Sequence, residues 1–133
     1  MKAAVLQAFG QPLALLDLPM PIALADEVLV QVEACGVCHS DLHLIHDFPP
    51  GLMPWDPPFT LGHENAGWVE AVGPGVEGVK VGDAVICHPL VTSGHCLACR
   101  RGNDMHALDS SFPGINANGG YAQYLLTGER SLI

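Results

Sequence analysis

Residues 27–34 read Glu-Val-Leu-Val-Gln-Val-Glu-Ala, and this stretch decides the fold class. Every second residue is small and apolar: Val28, Val30, Val32 and Ala34. A period of two predicts a β-strand with one face in a core. The other face would carry Glu27, Leu29, Gln31 and Glu33.

The segments around this strand are also short and are separated by turns. Strands are predicted at 2–6, 13–18, 63–72, 83–87 and 121–126, with a short helix at 40–46 that Ser40 or Asp41 could cap. Five prolines make 47–60 a loop. In this loop Met53, Trp55 and Phe59 could line a substrate pocket or simply pack. Many short strands with little helix favour a mainly β domain closed as a small barrel.

Composition excludes several classes of protein. With 49% hydrophobic and 14% charged residues, the chain is expected to fold. Five Lys and Arg against fourteen Asp and Glu give a net charge of -9, which disfavours nucleic-acid and membrane-surface binding. The N-terminal apolar region is broken at Gln7, Gly10 and Asp17, so a signal peptide is not predicted. No stretch approaches the ~18 apolar residues of a membrane span.

Five cysteines and seven histidines all lie between positions 35 and 106. An odd cysteine number excludes a fully paired disulfide framework, and the clustering favours metal chemistry in a reducing compartment, hence a cytoplasmic protein. Cys35 and Cys38 have the spacing of a redox motif, but the βαβ context of such motifs is missing.

The segment Gly73-Pro74-Gly75-Val76-Glu77-Gly78 matches the glycine pattern of a dinucleotide-binding loop. That loop requires a helix whose N-terminus holds the pyrophosphate. No helix is predicted after Gly78. The sequence therefore predicts a glycine-rich turn between two strands.

Two segments carry the strongest functional signal: Gly36-Val37-Cys38-His39-Ser40-Asp41-Leu42-His43, and Gly62-His63-Glu64 followed by Gly67, Gly73 and Val76. Together they resemble the zinc-dependent medium-chain alcohol dehydrogenases, and the resemblance covers essentially the whole chain. It implies a GroES-like β-barrel with short helices, spanning 1–133. It also implies the reversible oxidation of an alcohol to an aldehyde or ketone by an NAD(P)-dependent enzyme.

By this resemblance, Cys38 and His63 are ligands of a catalytic zinc ion. Glu64 would coordinate the ion directly or act from just outside. A site of this kind has three protein ligands and leaves a fourth position for water or substrate, with alcohol dehydrogenase the standard Cys₂His case. Asp41 is placed to accept the other ring N–H of a ligating histidine and so to fix its tautomer.

The resemblance also assigns a proton path. Ser40 would take the proton of the alcohol first, the cofactor ribose would carry it on, and His43 would release it at the surface. A hydroxyl exchanges donor for acceptor, and an imidazole titrates near neutral pH. His39 matches the position that contacts the pyrophosphate of the cofactor.

The sequence departs from the family in two places. Family members often carry a structural zinc on four cysteines in a lobe, here 90–112. Only Cys96 and Cys99 remain, with Ser93 and Ala107 at the outer positions. This degenerate structural site is expected to be empty, unless His95 or His106 substitutes.

The second departure is length. The third catalytic ligand and the Rossmann domain of the family come after position 133. The resemblance therefore implies an incomplete catalytic domain, expected to be inactive alone and to self-associate or to bind a missing Rossmann-domain partner through uncovered apolar surface. The alternative is a GroES-like module that binds a metal or a partner and catalyses nothing.

Overall fold

The computed structural model describes residues 1–49, 51–52 and 55–133. Seven strands dominate it: β1 (Lys2–Leu6), β2 (Ala14–Asp17), β3 (Glu27–Gly36), β4 (Phe59–Thr60), β5 (Glu64–Val72), β6 (Ala84–Cys87) and β7 (Tyr124–Gly128). The helices are α1 (His39–His46) and α2 (Leu97–Arg100), with single 3₁₀ turns at Asp104–His106 and Glu129–Ser131. The prediction of a mainly β fold is confirmed.

The strands form two antiparallel sheets. One has the order β2-β1-β4, and the other has the order β6-β5-β3-β7. A bridge between Ala3 and Ala122 links β1 to the segment that leads into β7. Among the described residues, no helix has the length and apolar run that crossing a bilayer requires.

The central strand β3 follows its predicted alternation only in part. Val28 and Val30 are fully buried as expected, but Leu29 is also buried and Ala34 is exposed. The register of β3 against β5 shifts between Leu29 and Val30 and again between Val32 and Ala34. The second shift leaves Glu33 of β3 unpaired and so resets which side chains face the core at Ala34. The first shift leaves Glu70 of β5 unpaired, and Leu29 is buried because the face of β3 opposite to Val28 and Val30 is also covered here.

Two apolar clusters form the core. One lies on the four-stranded sheet and contains Val28, Val30, Val69, Val85, Cys87 and Leu125. The other holds α1 against the three-stranded sheet through Leu44, which packs with Leu6, Phe59 and Leu61. Trp55 and Phe59 of the proline loop pack here, whereas Met53 lies outside the described residues. The second cluster fixes the position of α1.

The glycine-rich segment 73–78 is a turn, as predicted. No helix occurs between positions 73 and 83, all of which the structure describes. A Cβ on Gly73 would lie 1.6 Å from the carbonyl oxygen of Leu24, so this glycine permits a close backbone approach. The backbone amides of Glu77 and Gly78 donate hydrogen bonds to the carboxylate of Glu129. The segment therefore binds a side chain of the protein itself and has a structural role.

Candidate metal centre

The pairing of β3 with β5 brings the two signature segments together. Gly36, the last residue of β3, pairs with Glu64, the first residue of β5. A Cβ on Gly36 would lie 2.2 Å from a carboxylate oxygen of Glu64, so glycine leaves room for this side chain. Cys38 then follows β3 by two residues, and His63 immediately precedes β5. Antiparallel register alone therefore places them as neighbours.

Helix α1 holds Cys38 in place at its N-terminus. Cys38 occupies the N-cap position, which corrects the prediction that Ser40 or Asp41 would occupy it. Asp41 instead lies in the first turn and reaches back, so that its Oδ2 accepts a hydrogen bond from the Cys38 amide at 2.9 Å. A carboxylate here satisfies an amide that the helix leaves without a partner.

The thiol of Cys38, a ring nitrogen of His63 and a carboxylate oxygen of Glu64 all lie within 4.8 Å of one another. His63 is buried, Cys38 is half-buried and Glu64 is exposed. The ring of His63 also meets Phe112 edge-on, with centroids 5.6 Å apart. The cluster therefore joins a soft thiol, an imidazole and a carboxylate at a partly open surface.

Asp41 backs His63 from the interior of the protein. Its side chain is only 2% exposed, and its Oδ1 faces Nδ1 of His63 at 3.6 Å, just beyond hydrogen-bond distance. Within the described part of the chain, neither atom has a hydrogen-bond partner. A proton on Nδ1 is favoured by the carboxylate, which leaves Nε2 with its lone pair. This Nε2 lies 3.3 Å from Oγ of Ser40.

Tyr121 completes the surroundings of Asp41. Its hydroxyl donates a hydrogen bond to Oδ2 of Asp41 at 2.8 Å. Burial and the neighbouring carboxylate raise the pKa of Tyr121 well above its usual value, so the phenol stays protonated and remains a donor. Asp41 thus accepts from a side chain and a backbone amide while its second oxygen faces the imidazole.

Replacing Tyr121 with phenylalanine is expected to lower the free energy of unfolding by about 1 to 2 kcal/mol, because a hydrogen bond to a charged carboxylate is lost. The shape of the ring is kept, so packing should change little. Urea denaturation of the wild type and Tyr121→Phe measures the difference, with Tyr124→Phe as the matched control. Equal midpoints for the wild type and Tyr121→Phe would show that the bond contributes nothing.

The residues of the predicted proton path lie along α1. Ser40 is half-buried beside His63, whereas His43 is exposed, with Nδ1 in contact with the carboxylate of Asp47. The rings of His39 and His43 meet edge-on at 4.5 Å. Residues three and four apart share a helix face, so this face runs from the buried cluster toward solvent.

Two other cysteines, half-buried Cys35 and buried Cys87, have neutral thiols. Burial raises the pKa of Cys35 and that of Cys87 to about 11, so both are neutral thiols near neutral pH. Neutral thiols are poor nucleophiles and poor metal ligands. This counts against a redox couple between Cys35 and Cys38.

Alkylation with iodoacetamide at pH 8 should modify Cys96 well before Cys87. The pKa of Cys87 is raised, so its reactive thiolate forms only as the pH rises toward about 11, whereas hydrogen bonds from Cys99 lower the pKa of Cys96. Peptide mass spectrometry of timed samples measures both rates. Labelling of Cys87 as fast as in the unfolded chain would refute the assignment.

The lobe holds a second cluster. Sγ of Cys96 lies 2.8 Å from Sγ of Cys99, and the Cys99 amide donates to Cys96 at 3.3 Å. A carboxylate oxygen of Asp109 lies within 4.8 Å of both sulfur atoms and accepts a hydrogen bond from the Ser93 hydroxyl. Asp109, rather than His95 or His106, is therefore the third member of this group among the described residues.

Cys38, His63 and Glu64 fit a zinc ion. Thiolate sulfur, imidazole nitrogen and carboxylate oxygen are the donors that zinc takes in proteins. Nδ1 of His63 faces a carboxylate oxygen of Asp41, as is usual for histidines that bind a metal through their other ring nitrogen. Three donors on one side would leave a coordination position open.

Sequence reasoning missed two residues of these clusters. Tyr121 lies 80 positions after Asp41 and reaches it only because the segment before β7 returns to the three-stranded sheet. Asp109 lies two positions beyond the outer family position at Ala107. The carboxylate of Asp109 could have indicated a metal ligand, but acidic residues are common in exposed loops, so the residue type alone did not single it out.

A comparison with protein families matches residues 24–133 to the alcohol dehydrogenase GroES-like domain. An NAD-dependent alcohol dehydrogenase of Sulfolobus acidocaldarius is 40% identical over 95% of this chain, which covers 38% of that protein. An alcohol dehydrogenase of Geobacillus stearothermophilus is 43% identical over 93% of this chain and 36% of its own length. The chain thus spans less than two fifths of these relatives.

Solved structures of alcohol dehydrogenases and related dehydrogenases have the same fold as this chain over part of their length. The alcohol dehydrogenase of Aeropyrum pernix superposes with a TM-score of 0.94 at 46% identity, over 100% of this chain and 39% of that one. A Sinorhizobium meliloti protein described as a zinc-binding dehydrogenase, solved with bound NADP, gives a TM-score of 0.84 at 33% identity, over 99% of this chain and 37% of its own.

Proposed function

Because the chain belongs to the alcohol dehydrogenase GroES-like domain family, we propose that it is the zinc-binding catalytic domain of an NAD(P)-dependent alcohol dehydrogenase. The observation that carries the proposal is the meeting of Cys38, His63 and Glu64 within 4.8 Å, with Asp41 behind His63. The reaction proposed is the oxidation of an alcohol to an aldehyde or ketone. The substrate class and the nicotinamide cofactor rest on the relatives, which are longer proteins.

In this proposal Sγ of Cys38, Nε2 of His63 and a carboxylate oxygen of Glu64 hold the metal. Zinc, when bound, supplies a Lewis acid that lowers the pKa of an alcohol hydroxyl. Asp41 keeps the proton of His63 on Nδ1, so that Nε2 stays available as a donor. Half-buried Cys38 and buried His63 keep bulk water from one side of the cluster.

Alcohol oxidation releases a hydride and a proton. In this proposal the residues of α1 carry the proton to solvent. The hydroxyl of Ser40, 3.3 Å from Nε2 of His63, is proposed to accept the proton of the alcohol and to pass its own proton on. His43 is exposed and lies one helical turn further on, where its imidazole can pass the proton to water. His39, whose ring touches His43, is proposed to contact the pyrophosphate of the cofactor.

The proposal for partners rests on the exposed apolar surface of the four-stranded sheet. Trp68 is 48% and Ile86 is 60% exposed, on neighbouring strands. A Rossmann domain or a second copy of the chain would cover such residues. All five cysteines are free thiols, which supports a reducing, cytoplasmic location.

A cobalt-substituted sample distinguishes the enzyme from a module that only binds metal. A catalytic site keeps one position open, whereas a structural site is closed by four protein ligands. We expect a small alcohol to shift the visible spectrum of the Co²⁺-loaded chain, and we expect His63→Ala to abolish the Co²⁺ spectrum of this site. A stoichiometric Co²⁺ spectrum that no alcohol changes would favour the non-catalytic module.

A further inference from the structure

The lobe carries a pair of thiols that the proposed zinc site does not use. Cys96 and Cys99 lie at the start of α2, with sulfur atoms 2.8 Å apart. None of the other three cysteines, each of which the structure describes, has a hydrogen-bonding contact with another thiol. This pair is therefore the one among the five whose sulfur atoms already lie near the distance of a disulfide bond.

The two sulfur atoms differ in access. Cys99 is buried at 7% exposure, whereas Cys96 is half-buried. Cys96 also lines a surface cavity of about 400 Å³ together with Leu97, Arg101 and His106. A small molecule in this cavity would meet Cys96 first. Arg101 and His106 would suit an oxidant that carries carboxylate groups.

The donors around the pair are poor for a structural zinc site. Serine and alanine stand at positions 93 and 107, where thiolates would be needed. Ala107 is buried and offers no donor, while the Ser93 hydroxyl is engaged with the carboxylate of Asp109. Asp109 is the one further donor within 4.8 Å of both sulfur atoms in the described part of the chain, so the group falls short of the four ligands of a closed structural zinc site and leaves the two thiols available for redox chemistry.

We propose that Cys96 and Cys99 form a reversible dithiol–disulfide couple, in which Cys96 attacks a small disulfide such as glutathione disulfide and Cys99 resolves the product. The thiolate of Cys96 bonds to one sulfur of glutathione disulfide, whose S–S bond breaks and releases one glutathione thiolate. Sγ of Cys99 then bonds to Sγ of Cys96 and displaces the second glutathione. The two cysteine protons leave on the two glutathione thiols, so one disulfide is reduced and one is formed.

The test treats the reduced, chelator-treated full chain with glutathione disulfide, and tandem mass spectrometry locates the products. We expect a bond between Cys96 and Cys99 that dithiothreitol reverses. In Cys99→Ser the glutathionyl group should stay on Cys96, because no thiol resolves it. In Cys96→Ser the lobe should form no disulfide, and the control Cys87→Ala should behave like the wild type.

Two results would overturn the proposal, and both are independent of the proposed catalytic zinc site. The first is that Cys96 and Cys99 stay reduced in the wild type, or pair with other cysteines. The second uses Cys38→Ala, which lacks a ligand of the catalytic site. If this variant binds one zinc ion per chain and zinc keeps both lobe thiols reduced, then the pair is a metal site instead.

Discussion

Cys38→Ala and His63→Ala are each expected to reduce the affinity of the chain for zinc by more than about 100-fold, beyond the roughly 10- to 100-fold effect typical of losing a residue that only hydrogen-bonds to a ligand. Each substitution removes one of three donors that meet within 4.8 Å. Two remaining donors cannot close the coordination shell, and water would replace the missing ligand. Competition against a chromophoric chelator measures the affinity of each variant.

Matched controls for these variants lie close by in the sequence. Cys35→Ala removes a thiol whose pKa is raised to about 11 by burial, and His46→Ala removes an exposed imidazole at the end of α1. Both controls should bind zinc as the wild type does. If Cys38→Ala or His63→Ala also retained wild-type affinity, the cluster would not be the metal centre.

The second large effect is expected at Asp41, which touches no metal. Asp41→Asn should lower zinc affinity by about 10- to 100-fold while leaving the fold intact. The side-chain oxygen of the asparagine can still accept hydrogen bonds from the Tyr121 hydroxyl and from the Cys38 backbone amide. Its NH₂ group would then face Nδ1 of His63, where it favours the tautomer with the proton on Nε2. A protonated Nε2 has no lone pair for a metal.

Asp41→Ala should lower the free energy of unfolding more than Asp41→Asn does, because the Cys38 amide loses its acceptor and the Tyr121 hydroxyl keeps only the Gly36 carbonyl oxygen at 3.4 Å. An unsatisfied buried polar group costs about 1 to 3 kcal/mol. Asp47→Asn is the control, since Asp47 is an exposed carboxylate that contacts His43 only. Zinc titration and urea denaturation of the three variants separate the two effects. Equal zinc affinity for Asp41→Asn and Asp47→Asn would remove Asp41 from the site.

The sequence was sufficient for the parts of the structure that depend on local pattern. Val28 and Val30 alternate along β3 and are buried, and the glycine-rich segment after β5 forms a turn. The burial of Leu29 could not be predicted, because it requires that the face of β3 opposite to Val28 and Val30 is covered as well. The exposure of Ala34 follows a shift in the register of β3 against β5. Register shifts depend on both strands, so one strand's period does not reveal them.

In the candidate site, too, residue types could be predicted from the sequence, whereas contacts between distant segments could not. Cys38 and His63 could be singled out by residue type and by resemblance, and the structure brings them together; their role as zinc ligands remains a prediction. The pairing of Gly36 with Glu64 that joins them is a tertiary contact between distant segments. Tyr121 and Asp109 could be identified only from such tertiary contacts, because neither lies in a recognisable motif.

X-ray absorption at the zinc edge tests the central claim most directly. For the zinc-loaded chain we predict one ion per chain with a single sulfur neighbour at about 2.3 Å, from Cys38, and nitrogen and oxygen neighbours at about 2.0 to 2.2 Å. Cys38→Ala should remove the sulfur signal. Two sulfur neighbours that persist in Cys38→Ala would place the ion at Cys96 and Cys99, and would contradict a catalytic centre built on Cys38 and His63.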